Sequence, residues 1–127
     1  MIKNDDYKYP LIAKKLEDKI IKGEYKEKEK ILPVKNIARK YNVHYQTVNN
    51  AINQLEKQNI LKRKRNIGVF VKENAREILI LRRKKEIKKD FKKILKESEM
   101  IGVNIEEELK KAGRVKNIEK DKGSERY

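Results

Sequence analysis

The apolar residues between Val34 and Lys72 change their spacing once, and this change restricts the possible folds more than any other feature of the chain. Up to Lys57 they recur at the i, i+3, i+4 and i+7 positions that form one face of a helix. From Ile60 onward they stand in two short runs separated by a turn, which is typical of a hairpin. The sequence therefore predicts helices followed directly by a pair of strands.

Two helices with a tight connection are expected in the first part of this stretch. The first is predicted over residues 34–41 and the second over residues 45–57. The second has the clearer apolar face, formed by Val48, Ala51, Ile52 and Leu55. Residues 42–44 join the two helices and include Val43, an aliphatic residue suited to burial in the turn. Two helices joined in this way are a helix-turn-helix candidate.

Two short strands are expected next, over residues 60–63 and 68–72. The link between them contains a turn former and ends at Gly68. The hairpin is basic, with the run Lys62, Arg63, Lys64 and Arg65. A helix-turn-helix followed by a basic hairpin is a winged-helix pattern, so the predicted fold is mainly α with a small β-hairpin wing.

Further helices are expected on both sides of this stretch. Upstream, a helix is predicted from Pro10 to Lys22, with Gly23 as its C-terminal stop. Downstream, a helix is predicted from residue 75 to about residue 96, with Gly102 as a stop. A second downstream helix is predicted over residues 105–112, because Asn104 and Glu107 have the spacing of a capping box, which marks a helix start.

The positive charge is concentrated in the middle of the chain. The protein has 35 Lys and Arg against 20 Asp and Glu, a net charge of +15. Residues 31–72 carry 9 basic and 1 acidic side chains, whereas the flanking segments have mixed charge. An excess of this size indicates a polyanionic partner, most often nucleic acid. We therefore expect the contact surface for DNA between Ile31 and Lys72.

The composition argues against an enzyme. The chain has no Cys, and His44 is its only histidine and Thr47 its only threonine. A disulfide, a thiolate site and a zinc site are therefore not expected, and no serine has the sequence context of a nucleophile. No apolar run approaches the length of a membrane span, and no signal peptide is evident. These features predict a soluble cytoplasmic binding protein with no cofactor, no metal and no membrane partner.

The ordered residues of the helix-turn-helix and hairpin resemble those of the GntR-type winged-helix repressors. The matching positions are Leu32-Pro33, Ile37-Ala38, Tyr41, Val43, Thr47-Val48, Ala51-Ile52, Leu55-Glu56, Ile60, Gly68 and Phe70-Val71. The resemblance covers about residues 8–72 and implies a winged helix that binds double-stranded DNA.

Some positions depart from the family pattern. Lys35 stands where the family often has an arginine that contacts phosphate, and Asn49 replaces another frequent arginine. His44 and Tyr45 replace a common Ser-Arg pair at the start of the second helix of the motif. Asn66 replaces the first glycine of the wing. The scaffold of the family is retained, whereas the surface expected to read bases is particular to this chain.

The short C-terminal part resembles the YtrA-like branch of the family, in which two helices after the wing form the dimer. This resemblance implies a winged helix-turn-helix domain over residues 1–74, a helical dimerisation segment over residues 75–113 and a flexible polar tail over residues 114–127. The expected partners are a second copy of the chain and DNA, and a small-molecule effector remains open. The predicted dimer-interface residues are Ile80, Ile87, Phe91, Ile94, Leu95, Met100, Ile101 and Leu109.

The second helix of the motif is expected to enter the major groove and to read base edges through its first turns. Asparagine and glutamine pair with adenine through two hydrogen bonds, which predicts an operator rich in A·T. The alternative is that these amides are merely solvated. The predicted DNA-binding residues are Lys35, Arg39, His44, Tyr45, Gln46, Thr47, Asn49, Asn50, Lys64, Arg65, Asn66 and Gly68.

Two readings of the whole chain therefore stand. The first is a homodimeric, sequence-specific transcriptional regulator, a repressor that binds a pseudo-palindromic operator. The second is a basic protein that binds nucleic acid without sequence preference, which would explain the charge equally well but not the ordered winged-helix pattern.

Overall fold

The computed structural model describes residues 5–113, which form five helices and one two-stranded antiparallel hairpin. The elements are α1 (Asp5–Ile21), α2 (Val34–Tyr41), α3 (Tyr45–Lys57), β1 (Leu61–Lys64), β2 (Gly68–Val71), α4 (Ala75–Ile101) and α5 (Ile105–Lys111). This order confirms the mainly α fold with a hairpin wing and two C-terminal helices. The predicted polar tail, residues 114–127, lies outside the described residues.

The described chain divides into two compact units, one extending to Arg83 and the other beginning at Lys84. The division falls within α4, because Ala75 and Leu79 in the first turns of this helix are buried in the core of the first unit. The sequence placed the functional boundary earlier, after residue 74. That boundary between a DNA-binding and a dimerisation segment remains a prediction.

Three helices build the core of the first unit. The apolar face of α3 packs against α1 and α2, and β1 also contacts α3 and adds Leu61 to the same core. Full burial of an aliphatic side chain stabilises a fold by about 1.5–3 kcal/mol, so this face alone holds α3 in a fixed orientation. The buried side chains that α1 and α3 contribute include Ile12, Leu16, Ile20, Val48, Ala51, Ile52 and Leu55.

The ends of two helices differ from the sequence predictions. The predicted start of α1 at Pro10 is wrong, because α1 begins at Asp5 and Pro10 lies inside it. A proline this close to a helix start removes only one hydrogen bond, to the carbonyl of Asp6 in the first turn. Helix α4 extends to Ile101, beyond the predicted end near residue 96, and Gly102 with a φ of 74° follows as the predicted stop.

The wing is fixed by its register and by a third segment. Leu61 pairs with Val71 and Arg63 pairs with Val69. The backbone N–H of Ile31 donates to the carbonyl of Val69 at 2.9 Å, so that residues before α2 pair with the outer edge of β2. The wing is therefore tied to the helix-turn-helix by backbone hydrogen bonds as well as by its buried side chains.

The second unit contains the remainder of α4 and the short helix α5. The side-chain oxygen of Asn104 accepts a hydrogen bond from the backbone N–H of Glu107 at 3.1 Å, which confirms the predicted cap at the start of α5. Within residues 5–113, no helix combines the length and the apolar character needed to cross a membrane.

Candidate nucleic-acid interface

The turn between α2 and α3 places the start of α3 at the surface. Asn42 adopts a left-handed conformation with a φ of 54°, which asparagine tolerates better than most residues. The backbone N–H of Val43 donates to the carbonyl of Ala38 at 3.0 Å and closes the end of α2. His44 is the N-cap residue of α3, and its carbonyl accepts from the backbone N–H of Thr47 at 3.0 Å. The first turn of α3 therefore begins from a fixed position.

The outer face of α3 carries most of the residues predicted to read bases. Tyr45 and Gln46 are exposed, and Asn49 and Asn50 are half-buried on the same side. Thr47 is only 2% exposed and lies on the inward face, away from the other four. Four of the five predicted residues on this helix thus share one surface, and Thr47 does not.

Two amides on this face form a hydrogen bond with each other. Gln46 Nε2 donates to Asn50 Oδ1 at 3.0 Å, one turn along the helix. Gln46 keeps its carbonyl oxygen and a second N–H, and this pair of groups matches the N6 and N7 edge of adenine. The bond also holds the Gln46 side chain along the axis of α3.

Arg63 of β1 makes contacts with α3 that the sequence pattern does not predict. Its guanidinium donates to the side-chain oxygens of Asn49 and Asn53, each at 2.9 Å, and lies 3.8 Å from the Glu56 carboxylate. The sequence predicts Arg63 only as part of the basic run of the wing. The alternation of β1 places it on the same face as the buried Leu61, and that period of two was the available signal.

The tip of the wing presents an exposed, positively charged surface. Lys64, Arg65 and Asn66 are exposed, and the Lys64 ammonium lies 4.5 Å from the centre of the Phe70 ring. Asn66 has a φ of 61°, which explains how asparagine takes the place of a wing glycine. Gly68 is half-buried behind the tip, so that the predicted wing residues surround one turn.

Helix α2 adds further cations. Lys35 and Arg39, both predicted to contact phosphate, are exposed on this helix. The Lys40 ammonium lies 5.6 Å from the centre of the Tyr41 ring. These side chains can supply contacts to a phosphate backbone, which give affinity and register without reading sequence.

A carboxylate and two ammonium groups interact beside α2. The hydrogen bond with the Glu24 carboxylate raises the pKa of Lys19, and the same contact lowers the pKa of Glu24. The adjoining Lys19 ammonium lowers the pKa of Lys40.

A groove of about 420 Å³ borders α3 and continues its polar surface. Its lining residues are Tyr9, Asn50, Asn53, Gln54 and Lys57. Three amides and one ammonium in this lining can form hydrogen bonds with a polar ligand. Among residues 5–113, no three carboxylates or histidines stand close enough to bind a metal ion together.

Comparison with known sequences agrees with this geometry. Residues 8–71, about half of the chain, match the family described as "Bacterial regulatory proteins, gntR family". The chain is 26% identical over 98 residues to the HTH-type transcriptional repressor YtrA of Bacillus subtilis (strain 168). That similarity covers 77% of this chain and 75% of the repressor.

Solved structures show the same arrangement. A GntR family transcriptional regulator from Listeria monocytogenes is similar with a TM-score of 0.70 at 25% identity, covering 84% of this chain and 92% of that chain. A GntR-family structure from Bacteroides thetaiotaomicron is similar with a TM-score of 0.64 at 28% identity, covering 87% and 97% of the two chains. Both similarities extend over more of the chain than the family match.

Proposed function

This chain belongs to the GntR family, and we propose that it is a homodimeric repressor that binds a pseudo-palindromic DNA operator. The family consists of regulatory proteins, and the related protein is a transcriptional repressor. This chain is accordingly a DNA-binding transcriptional regulator and not an enzyme. The dimer, the operator and cytoplasmic location are the parts of the function that we propose. No cofactor is assigned to it.

The proposal is carried by one observation: the unit that extends to Arg83 contains both an amide-rich face of α3 and a basic wing. Gln46, Asn49 and Asn50 share the outer face of α3, and Arg65 and Lys64 lie on the wing that follows it. A protein that binds only phosphates needs the cations but not the amides. Amides on a helix that fits the major groove are the groups that discriminate bases.

We propose that the contacted base pairs are rich in A·T. Gln46 supports this choice, because its free oxygen and N–H can accept from N6 and donate to N7 of one adenine. The described part of α3 contains no arginine, the residue that most often reads guanine. Lys35, Arg39 and the wing tip would then contact phosphates on either side.

We assign the apolar seam of α4 to contact with a second copy of the chain. Ile87, Phe91, Ile94 and Ile101 follow the alternating four- and three-residue spacing of a coiled-coil seam. Ser98 has the remaining position of this spacing but is already buried within the described chain. Ile87 is 68% exposed and Ile101 is 62% exposed. Two copies of a seam with this spacing can pack against each other. The short helix α5 adds the exposed Leu109 to the apolar surface.

Binding to a randomised duplex pool, followed by titration of selected and scrambled sites against salt, tests this function. We expect a palindromic consensus that is bound at least about a thousandfold more tightly than scrambled DNA. Gln46→Ala should remove the preference at one base pair of each half-site, whereas the matched variant Gln54→Ala, further along α3, should retain it. Equal affinity for every sequence, lost in parallel as salt rises, would instead identify a nonspecific binder.

A further inference from the structure

The inward face of β1 carries a charged side chain where an apolar one would be expected. Leu61 and Arg63 point to the same side of the strand, and Leu61 is buried in the core. Arg63 is half-buried against α3. A charged group in such a place is retained only with good partners, since its desolvation is costly.

The partners of Arg63 form one row on α3. Asn49, Asn53 and Glu56 stand at i, i+4 and i+7 of α3 and therefore line one side of the helix. Arg63 Nη2 lies 2.9 Å from Asn49 Oδ1, and Arg63 Nη1 lies 2.9 Å from Asn53 Oδ1. The backbone N–H of Arg63 donates to Glu56 Oε2 at 3.0 Å. One residue of the wing thus meets three residues of α3.

The chemistry of the guanidinium decides the orientation of both amides. Arginine has five N–H donors and no acceptor. The atoms of Asn49 and Asn53 that meet it must therefore be their carbonyl oxygens. In each side chain, the NH2 group then projects away from Arg63 and is the part left to meet a ligand.

We propose that Arg63 is a positioning residue that makes Asn49 and Asn53 hydrogen-bond donors toward the bases of the operator. The proposal rests on the proposed function as a sequence-specific DNA-binding protein and names what determines its specificity at these positions. Arg63 itself reads no base in this arrangement.

A donor reads acceptors in the major groove, namely O4 of thymine, O6 and N7 of guanine, and N7 of adenine. A bidentate pair with adenine requires the oxygen and the nitrogen of one amide to face the base together. With Oδ1 held by Arg63, such a pair must break that bond or share the oxygen between two donors. At the base pairs that Asn49 and Asn53 meet, we therefore expect thymine or guanine to be preferred over the bidentate N6 and N7 edge of adenine. The A·T preference proposed above then comes from Gln46 and not from these two residues.

The contact can be tested first in the free protein. Unfolding midpoints in urea are measured for Arg63→Met, Asn49→Ala and the double variant, since methionine retains the length of the arginine stem. Non-additive shifts, with the double variant less affected than the sum of the two, are expected for groups in contact. Additive shifts would overturn the proposal, because the guanidinium and the amide would then act independently.

The effect of Arg63 on base preference is tested with libraries of DNA half-sites. Each half-site keeps the base pair whose preference depends on Gln46, so that the protein binds every member in the same orientation. The position read by Asn49 is the one whose preference is lost in Asn49→Ala. In Arg63→Met the amide is free to turn, and we expect the affinity for adenine at that position to rise by about tenfold relative to thymine and guanine. Arg65→Met removes the same charge from the wing tip and should weaken all sequences equally.

A conservative variant separates charge from geometry. Arg63→Lys restores the positive charge but cannot hold two amides with a planar fork. It should recover the salt dependence of wild-type binding without recovering the wild-type base preference. Recovery of both would overturn the positioning role.

The outcomes distinguish this proposal from the function on which it rests. A wild-type protein that selects no consensus overturns both. A clear wild-type consensus that Arg63→Met retains, with only a uniform loss of affinity, overturns the role of Arg63 and leaves the sequence-specific regulator intact.

Discussion

The Glu17 carboxylate of α1 lies 3.0 Å from the Arg83 guanidinium of α4 and joins the first helix of the protein to the start of the fourth. Arg82 lies 3.4 Å from the same carboxylate and donates to the Gln58 side chain at 3.0 Å. Arg83 also pairs with Asp18 at 2.8 Å. The Glu17 side chain is only 13% exposed, so this network is partly screened from water. It holds the first turns of α4 against α1 and the C-terminal end of α3.

We expect Glu17→Gln to lower the free energy of unfolding by about 1–2 kcal/mol, because two arginines lose a charged partner at a partly buried site. Urea unfolding followed by circular dichroism measures the change. Glu73→Gln is the matched control, since Glu73 pairs with Lys28 at 3.8 Å with both side chains largely exposed. That exposed pair should contribute almost nothing. Equal losses in the two variants would contradict the importance of the network.

Gly68 is placed to require glycine. Its φ is 145°, and a Cβ added there would lie 2.7 Å from Cδ of Lys30. We expect Gly68→Ala to lower the free energy of unfolding by about 1–3 kcal/mol, because the backbone conformation is strained for any residue with a Cβ. The double variant Lys30→Ala/Gly68→Ala should recover only part of this loss, since it removes the close approach but not the strain. Full recovery would show that the side chain of Lys30 alone causes the effect.

Tyr25 links stability to alkaline pH. Burial raises the pKa of the Tyr25 hydroxyl, against an opposing backbone hydrogen bond with Leu32. Because the folded-state pKa is raised above that of the unfolded chain, about 10, the neutral tyrosine contributes stability below that pH. This contribution is lost as the pH rises through the folded-state pKa. We expect Tyr25→Phe to unfold less steeply with rising pH than the wild type in urea titrations from pH 8 to about pH 11. Parallel pH profiles would contradict the assignment.

Periodicity was sufficient to predict most of the fold. Helices α2 and α3 have the predicted bounds, and each strand of the hairpin lies within one residue of its prediction. The start of α1 was missed because Pro10 suits a first turn but is also tolerated just beyond one. The end of a helix is set by one or two residues, so a single exception shifts it. The apolar face of a helix is set by many residues that pack into the core, so it is easier to predict.

The candidate site was predictable only in part. The helical period places Thr47 one turn before the buried Ala51 and therefore on the inward face, which argues against its predicted contact with DNA. Strand alternation similarly placed Arg63 on the side of Leu61. The partners of Arg63 were not predictable, because they depend on how β1 packs against α3 in three dimensions. The predicted DNA contacts remain predictions.

The apolar seam of α4 predicts the oligomeric state. We expect the double variant Phe91→Ala/Ile94→Ala to weaken the dimer by at least about a hundredfold, because each truncated side chain loses about 1–3 kcal/mol of apolar burial. Sedimentation equilibrium measures the dissociation constant. Lys92→Ala/Lys96→Ala changes two exposed residues away from the seam on the same helix and should leave the dimer intact. A wild-type protein that stays monomeric at high concentration would exclude this interface.

Salt dependence separates the predicted phosphate contacts from the predicted base contacts. Lys35→Gln and Arg65→Gln each remove one exposed cation, from α2 and from the wing tip. For each of them, the slope of log affinity against log salt should become shallower by about 0.9, because one fewer counterion is released. Gln46→Ala carries no charge change, so it should lower the affinity for the selected site while leaving the slope and the affinity for scrambled DNA unchanged. A shallower slope in Gln46→Ala, or an unchanged slope in both cation variants, would contradict the division into phosphate contacts and base contacts.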